Sequence, residues 1–234
     1  MKKLSIARVS GHTFISSRLS ECSVIIDLGA NRGAFSREIR DRWGCSEILA
    51  VEPAPALSNE LSRLDGVGIE RCVVSGSGEP ALFRINEENS ESSSIVGGPG
   101  DGDVIVVRGT TLRDLMARYD AVDLVKIDVE GAEIGIFRST PGEVLLRAKQ
   151  FTVEFHDFKR GSGVTRGHVM EVMERMRELG FKAFVNSFWT YGDVLFVNQN
   201  YFSIRPVEAA LLSLRGRWWP GATRVAHKLV RVIR

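Results

Sequence analysis

Four polar residues stand where an α/β chain keeps apolar ones. Asp128 and Glu130 close one β-branched run, and Glu154 and His156 close the next. Carboxylates and an imidazole are the side chains that move protons and bind cations near neutral pH. Side chains alternate faces along a strand. From Val122 to Val129, the residues Val125, Ile127 and Val129 take one face, and Lys126, Asp128 and Glu130 the other. From Gln150 to Phe158 the pattern repeats, with Glu154 and His156 opposite Val153 and Phe155. Central strands of a parallel sheet are normally apolar throughout. An unpaired buried charge is costly, so these residues must pair or face a cleft. His156 is expected to act as a general base, with Glu154 or Glu130 orienting it or the substrate. A divalent ion on Asp128, Glu154 and His156 is the alternative. The ligand types allow it but no spacing enforces it, so the metal-free reading is preferred. Lys126 is expected to be the buried partner of a carboxylate, and Glu133 an acid at a helix N-terminus.

A second group lies earlier in the chain. Asp27-Leu28-Gly29-Ala30-Asn31-Arg32-Gly33 joins a strand to a helix, and its glycines let a ligand approach the backbone. A dinucleotide fingerprint would be G-x-G-x-x-G, but here Asn31 takes the place of the second glycine. Asp27 at the strand end would repel a pyrophosphate and suit a cationic ligand. Glu52 closes the next strand, where an acid can accept both hydroxyls of a ribose. A ribose with a positive centre describes S-adenosylmethionine better than NAD.

These groups need a scaffold. Val24–Leu28, Glu47–Val51 and Ile69–Ser75 are expected strands, separated by helices at Phe35–Trp43 and Ala56–Leu64. This β-α-β-α-β order is that of a doubly wound parallel sheet. Ala81–Ile85 and Val104–Arg108 interrupt it as two added strands. They flank Asn86–Asp103, which is rich in Ser, Gly and acids and is expected as a loop. Alternation then resumes with a helix at Leu112–Tyr119, a strand at Val122–Val129 and a helix at Ala132–Arg138. A strand at Gln150–Phe158 and a helix at Val169–Leu179 follow. Phe181–Val185 and Val194–Asn198 are expected to close the sheet as an antiparallel pair. No boundary is expected inside residues 1–203, leaving 204–234 as a separate tail.

At this point the resemblance becomes specific. Val24 to Phe35, Val51-Glu52-Pro53, Ser92-Ser93-Ser94 and the string from Asp123 to Glu133 together resemble the FkbM family of S-adenosylmethionine-dependent methyltransferases. Lys126-Ile127-Asp128-Val129-Glu130-Gly131-Ala132-Glu133 is the most diagnostic part. The resemblance covers residues 22 to 160. It implies a class I methyltransferase fold, Rossmann-like and doubly wound, and O-methylation of hydroxyls on sugars, glycans or related natural products. It further implies that Asp27, Gly29, Asn31, Gly33, Glu52 and Asp128 hold the cofactor. Val74 and Ser75 would lie by the adenine, and Ser93 and Ser94 over the cofactor or the acceptor. The segment ahead of Val24 is short, so part of the substrate cover is expected to be missing. A non-catalytic cofactor-binding or scaffold protein is the alternative of a different class.

Composition limits the partners. Hydrophobic residues at 44% and charged residues at 26% describe a globular chain. Arg205 to Arg234 hold six Arg and one Lys against Glu208, a net +6, so the rest carries −4 of the total +2. An acidic body and the lack of an Asn/Asp-Pro-Pro-aromatic motif argue against a nucleic-acid substrate. Three well-separated cysteines, no apolar signal region after Lys2 and Lys3, and no long apolar run point to the cytoplasm. The tail repeats Ala222, Val225, Ala226, Leu229 and Ile233 at helical spacing, with cations opposite and Trp218 and Trp219 ahead. Two outcomes stay open for it. It either contacts an anionic membrane surface, at the inner face, or docks on its own body or on a second subunit as a homodimer.

Overall fold

The computed structural model describes residues 4–85, 94–95, 103–159, 161–187, 189–205 and 208–209. The elements in chain order are β1 (Ile6–Val9), β2 (His12–Ile15), β3 (Val24–Leu28), α1 (Ala34–Trp43), β4 (Glu47–Val51), α2 (Pro55–Leu61) and β5 (Val67–Glu70). Then come β6 (Val73–Val74), β7 (Ala81–Ile85), β8 (Ser94–Ile95), β9 (Asp103–Val107), β10 (Gly109–Thr110), α3 (Leu112–Met116) and β11 (Leu124–Ile127). The series ends with α4 (Glu133–Ser139), α5 (Gly142–Leu145), β12 (Gln150–Val153), α6 (Arg166–Glu178), β13 (Phe181–Val185) and β14 (Val194–Asn198).

Seven strands form the central sheet in the order β13-β14-β12-β11-β3-β4-β5. The run from β12 to β5 is parallel, and β14 pairs antiparallel with both β12 and β13. The chain winds outward from β3 in both directions, so a crevice opens at the carboxyl ends of β3 and β11. Alternation along the strands sends Ile25 and Leu124 to one face with Phe35 and Ile39 of α1. Ile26, Leu28 and Val125 pack on the other face with Phe137 of α4 and Val169, Val172 and Met176 of α6. Both faces are therefore covered, which explains the β-branched, apolar strands.

Helix ends follow local chemistry. Gly44 closes α1 with a left-handed φ of 70° and donates its N–H to the Arg40 carbonyl. Thr165 caps α6 through its side chain, with His168 completing a capping box.

Several boundaries differ from the sequence reading. The expected strand at Ile69–Ser75 is two short strands: β5 joins the main sheet, while β6 pairs with β10. β11 and β12 stop at Ile127 and Val153, so Asp128, Glu130, Glu154 and His156 lie beyond the strand ends rather than within them. β7 and β9 pair antiparallel as expected, and β8 adds to β7. The segment ahead of Val24 is a hairpin, β1–β2, turned by Ser10 and Gly11 with φ of 47° and 89°. It docks through Gln150, whose amide accepts from Ile15 N and donates to Ile15 O. Asp193 accepts from Thr13 N and from the Thr13 hydroxyl. Cys22, Cys45 and Cys72 are all free. No helix among the described residues is long and apolar enough to cross a membrane. The tail from residue 210 onward, with its amphipathic pattern, lies outside the described residues.

Candidate active site

A cavity of about 500 Å³ opens at the carboxyl ends of the parallel strands. That is ample for a nucleotide-sized ligand. One end is lined by Gly29, Ala30, Asn31, Val51, Glu52 and Pro53, and the other by Asp128, Glu130, Glu154 and His156.

The first end is built from backbone. Gly29 N and Ala30 N both donate to Val51 O at 3.0 Å, which ties the turn to β4. Gly29 has φ of 73°, and a Cβ there would stand 1.8 Å from the Asp128 carbonyl oxygen. No side chain fits that approach. Asn31 adopts φ of 49°, a conformation its type tolerates. Its N–H donates to Glu52 Oε2 at 2.8 Å, and Ala54 N donates to Glu52 Oε1 at 2.9 Å. Burial pushes the Glu52 carboxyl above its usual range, and these two N–H groups work against the rise. Each carboxylate oxygen keeps a lone pair for a hydroxyl. Cys72, Val73, Val74 and Phe83 form an apolar wall beside it. Burial raises the Cys72 thiol to about 11, so it stays protonated and inert.

Three residues assigned to the cofactor do not line this cavity. Asp27 is fully buried; its Oδ2 accepts from the Ser36 hydroxyl at 2.7 Å, and its Oδ1 lies 3.1 Å from Lys126 Nζ. Its charge is neutralised inside the protein, because alternation points it at α1 and its register partner is Lys126. Gly33 is the N-cap of α1, where a Cβ would meet Leu61 Cδ2 at 2.4 Å, so it serves helix packing. Ser75 N donates to Thr110 O, and its hydroxyl accepts from Gly78 N, which commits it to the β6–β10 junction. Val74 does line the cavity. Ser94 lies in β8 opposite Arg84, and Ser93 lies outside the described residues.

The second end is built from side chains of distant elements. Lys126 is 4% exposed and donates to Gly29 O at 2.6 Å, besides pairing with Asp27. Burial works to lower its pKa, but Asp27 and Asp128 outweigh that and keep it an ammonium. It is the buried partner that the sequence suggested. Asp128 is held well below the ordinary carboxylate range despite burial, chiefly by Lys126 and then by His12 and His156. Glu130 takes φ of 57°, a strained conformation for its type, and accepts from Lys159 at 2.7 Å.

His156 is 3% exposed. Its Nδ1 lies 2.8 Å from Glu133 Oε1, and its Nε2 lies 3.3 Å from Glu130 Oε2 and 3.6 Å from Asp128 Oδ1. Burial alone would lower its pKa. The bond to Glu133 and the charges of Glu133, Glu130 and Asp128 prevail and push it up to about 9. At neutral pH it is an imidazolium with both nitrogens donating. To serve as the expected general base, the ring must first lose a proton. Glu154 is raised to about 7 by burial and then by the Asp128 charge. Of the two acids expected to orient the ring, Glu130 faces its Nε2, and Glu133 holds its Nδ1 while also accepting from Gly131 N at 3.0 Å. Its position at a helix start was legible, and its grip on a histidine was not. His12 was missed as a site residue; β2 brings its Nε2 to 3.6 Å from Asp128 Oδ2. The signal available was a Ser-Gly turn between two short alternating runs.

Known proteins resemble this chain in sequence and in fold. The model of the methyltransferase FkbM domain matches residues 27–183. Methyltransferase sdnD of Sordaria araneosa is 27% identical over 56% of this chain and 66% of its own length. The AMB antimetabolite synthetase AmbE of Pseudomonas aeruginosa is 23% identical over 88% of this chain and 12% of its own. The crystal structure of an FkbM methyltransferase from Methylobacillus flagellatus superposes with a TM-score of 0.52 at 12% identity, covering 78% of this chain and 45% of that one. The chain thus spans no more than about two thirds of these relatives, and with the last it shares the class I methyltransferase fold. A glycine turn braced on Glu52, the string ending in Glu133 and a family match over most of the sheet lead to one conclusion: the chain belongs to the FkbM methyltransferase family.

Proposed function

We propose that the chain is an S-adenosylmethionine-dependent methyltransferase that methylates a hydroxyl of a small-molecule or glycan acceptor by direct displacement. The observation that carries this reading is one cavity with two unlike ends, a glycine turn braced on Glu52 and a polar cluster at the neighbouring strand ends. The residues present fit the cofactor. Glu52 offers two oxygens to a ribose, Val73, Val74 and Phe83 offer an apolar wall to the base, and Asp128 and Glu130 offer carboxylates to a cationic centre, beside the cations Lys126 and His156. S-adenosylmethionine supplies a methyl group on a sulfonium, a cation that carboxylates attract.

The polar end does the rest. Carboxylates of this wall accept from the acceptor's hydroxyl, which supplies positioning, while Lys126 and His156 hold those carboxylates in place. The hydroxyl proton passes to a carboxylate of this wall, since both ring nitrogens of His156 already face carboxylates. One relative is an antimetabolite synthetase, which supports a small-molecule acceptor over a nucleic acid. Ser93 and Ser94 are proposed to cover that acceptor. The tail beyond residue 204 is proposed to contact an anionic membrane or a second copy, and vesicle flotation of the full chain separates the two.

Calorimetry with S-adenosylhomocysteine tests the cofactor. Release of S-adenosylhomocysteine from S-adenosylmethionine with a panel of hydroxylated sugars tests the reaction. Binding plus turnover supports the proposal, and no binding at millimolar cofactor overturns it. Binding without turnover on any acceptor would favour a non-catalytic role.

A further inference from the structure

His12 is 1% exposed, yet its Nε2 makes no hydrogen bond. The other ring nitrogen, Nδ1, lies 3.5 Å from the Thr152 hydroxyl, and the ring packs edge-on against Phe35 at 5.8 Å. A buried ring nitrogen whose nearest acceptor, Asp128, stands at 3.6 Å, beyond hydrogen-bond reach, calls for an explanation. Nε2 points at Asp128, and the surroundings of that carboxylate are unusual. His12 Nε2 and Lys126 Nζ lie 3.6 and 3.5 Å from its Oδ2, and His156 Nε2 lies 3.6 Å from its Oδ1. All three exceed the 2.7–3.2 Å, roughly, of a good hydrogen bond. Lys126 and His156 are cations that pair loosely with this carboxylate, but the spacing of His12 Nε2 and Asp128 also suits two ligands of one inserted ion. Two ligand atoms each about 2.1 Å from an ion stand about 3.0 to 3.5 Å apart in octahedral or tetrahedral geometry.

Glu154 completes the set: one ligand atom from each of His12, Asp128 and Glu154 lies within 4.8 Å of the others. Lys126 does not saturate this charge, because it is shared with Asp27 and the Gly29 carbonyl. The Thr152 hydroxyl faces Nδ1, on the side of the ring where an outer partner of a ligating histidine stands.

We propose that His12 Nε2, Asp128 and Glu154 hold a divalent first-row metal ion. One imidazole and two carboxylates suit manganese, iron or zinc better than calcium. Three protein ligands leave a position open toward the cavity, where an oxygen of the acceptor binds. That last role rests on the methyltransferase reading, whereas the binding of the ion does not.

The probe is Mn²⁺ alone, added to the full chain after chelator treatment and followed by the magnetic resonance signal of the free aqua ion. One ion per chain is expected. His12→Gln and Glu154→Gln should each weaken binding at least about 10-fold, and Thr152→Val by about 10-fold through the outer partner. Mn²⁺ should raise the melting temperature of the wild type relative to chelator, and not that of His12→Gln. Absence of binding at millimolar Mn²⁺ and, by calorimetry, Zn²⁺ overturns the proposal. So does binding undiminished in folded Glu154→Gln and Thr152→Val, which keeps the test valid where His12→Gln does not fold. Calorimetry with S-adenosylhomocysteine on the same samples reports the cofactor reading separately.

Discussion

Glu52 and His156 sit at opposite ends of one cavity and are held by different means. Glu52 is pinned by the amides of Asn31 and Ala54, so its position follows from the chain folding back on itself. His156 is held by Glu133, Glu130 and Asp128, side chains that must each arrive from a different point beyond β11. A backbone site tolerates side-chain change but not a change of chain path. A side-chain site has the reverse sensitivity, and substitutions can set the two against each other.

Gly29→Val is expected to have the largest effect. The valine Cβ would fall 1.8 Å from the Asp128 carbonyl, so the turn cannot close and cofactor binding should disappear. Calorimetry with circular dichroism checks this, and a folded variant that still binds would remove the backbone account of this end. Glu133→Ala should come next. It leaves His156 Nδ1 and the Gly131 N–H without this acceptor, while Glu130 and Asp128 still face Nε2, for a loss of about 1 to 3 kcal/mol in stability. Denaturant unfolding measures it, and a loss below 1 kcal/mol, approximately, would mean that His156 is held by other groups.

These contrasts also mark what the sequence could tell. Glu52, Gly29 and Asn31 were legible because their work is local: one turn, one strand end, one spacing. Asp27 was misplaced for a reason of the same kind. Its type suggested a ligand for a cation, but the cation it meets is Lys126 of the neighbouring strand, which only the register reveals. Ser75 was lost when the third strand divided into β5 and β6, since two short strands and one longer one share a pattern. At the polar end, Asp128, Glu130, Glu154 and His156 were found by their misfit in apolar runs. Their roles were not, because the protonation of His156 depends on Glu133, and His12 comes from a hairpin more than 100 residues away in the chain. The inserted β7–β9 pair was legible from two β-branched runs around a polar stretch.

The smallest expected effect concerns a charge cluster outside the cavity. Glu70 lies 2.6 Å from Arg118 and 2.5 Å from Arg108. Its burial works to raise the carboxyl, but Arg118 and then Arg108 hold it below the usual range. A lowered pKa means that the stabilisation is present above the unfolded value near 4.5 and fades as pH falls through the folded one. Glu70→Gln should cost about 0.2 to 1 kcal/mol at pH 7, since both guanidinium groups are exposed, with the difference closing in acid. Cofactor affinity should not change. A weakened affinity would extend the backbone-built end as far as β5.

The division of the cavity is tested most directly by titrating S-adenosylhomocysteine into the wild type, Glu52→Ala and His156→Ala side by side. Glu52→Ala should lose about 1.5 to 3 kcal/mol, roughly 10- to 150-fold in affinity, through its charge-assisted bonds to the ligand. His156→Ala should bind within about two-fold of the wild type, because the ring serves the acceptor and not the cofactor. Equal losses in the two variants, or none in Glu52→Ala, would contradict the assignment of the two ends.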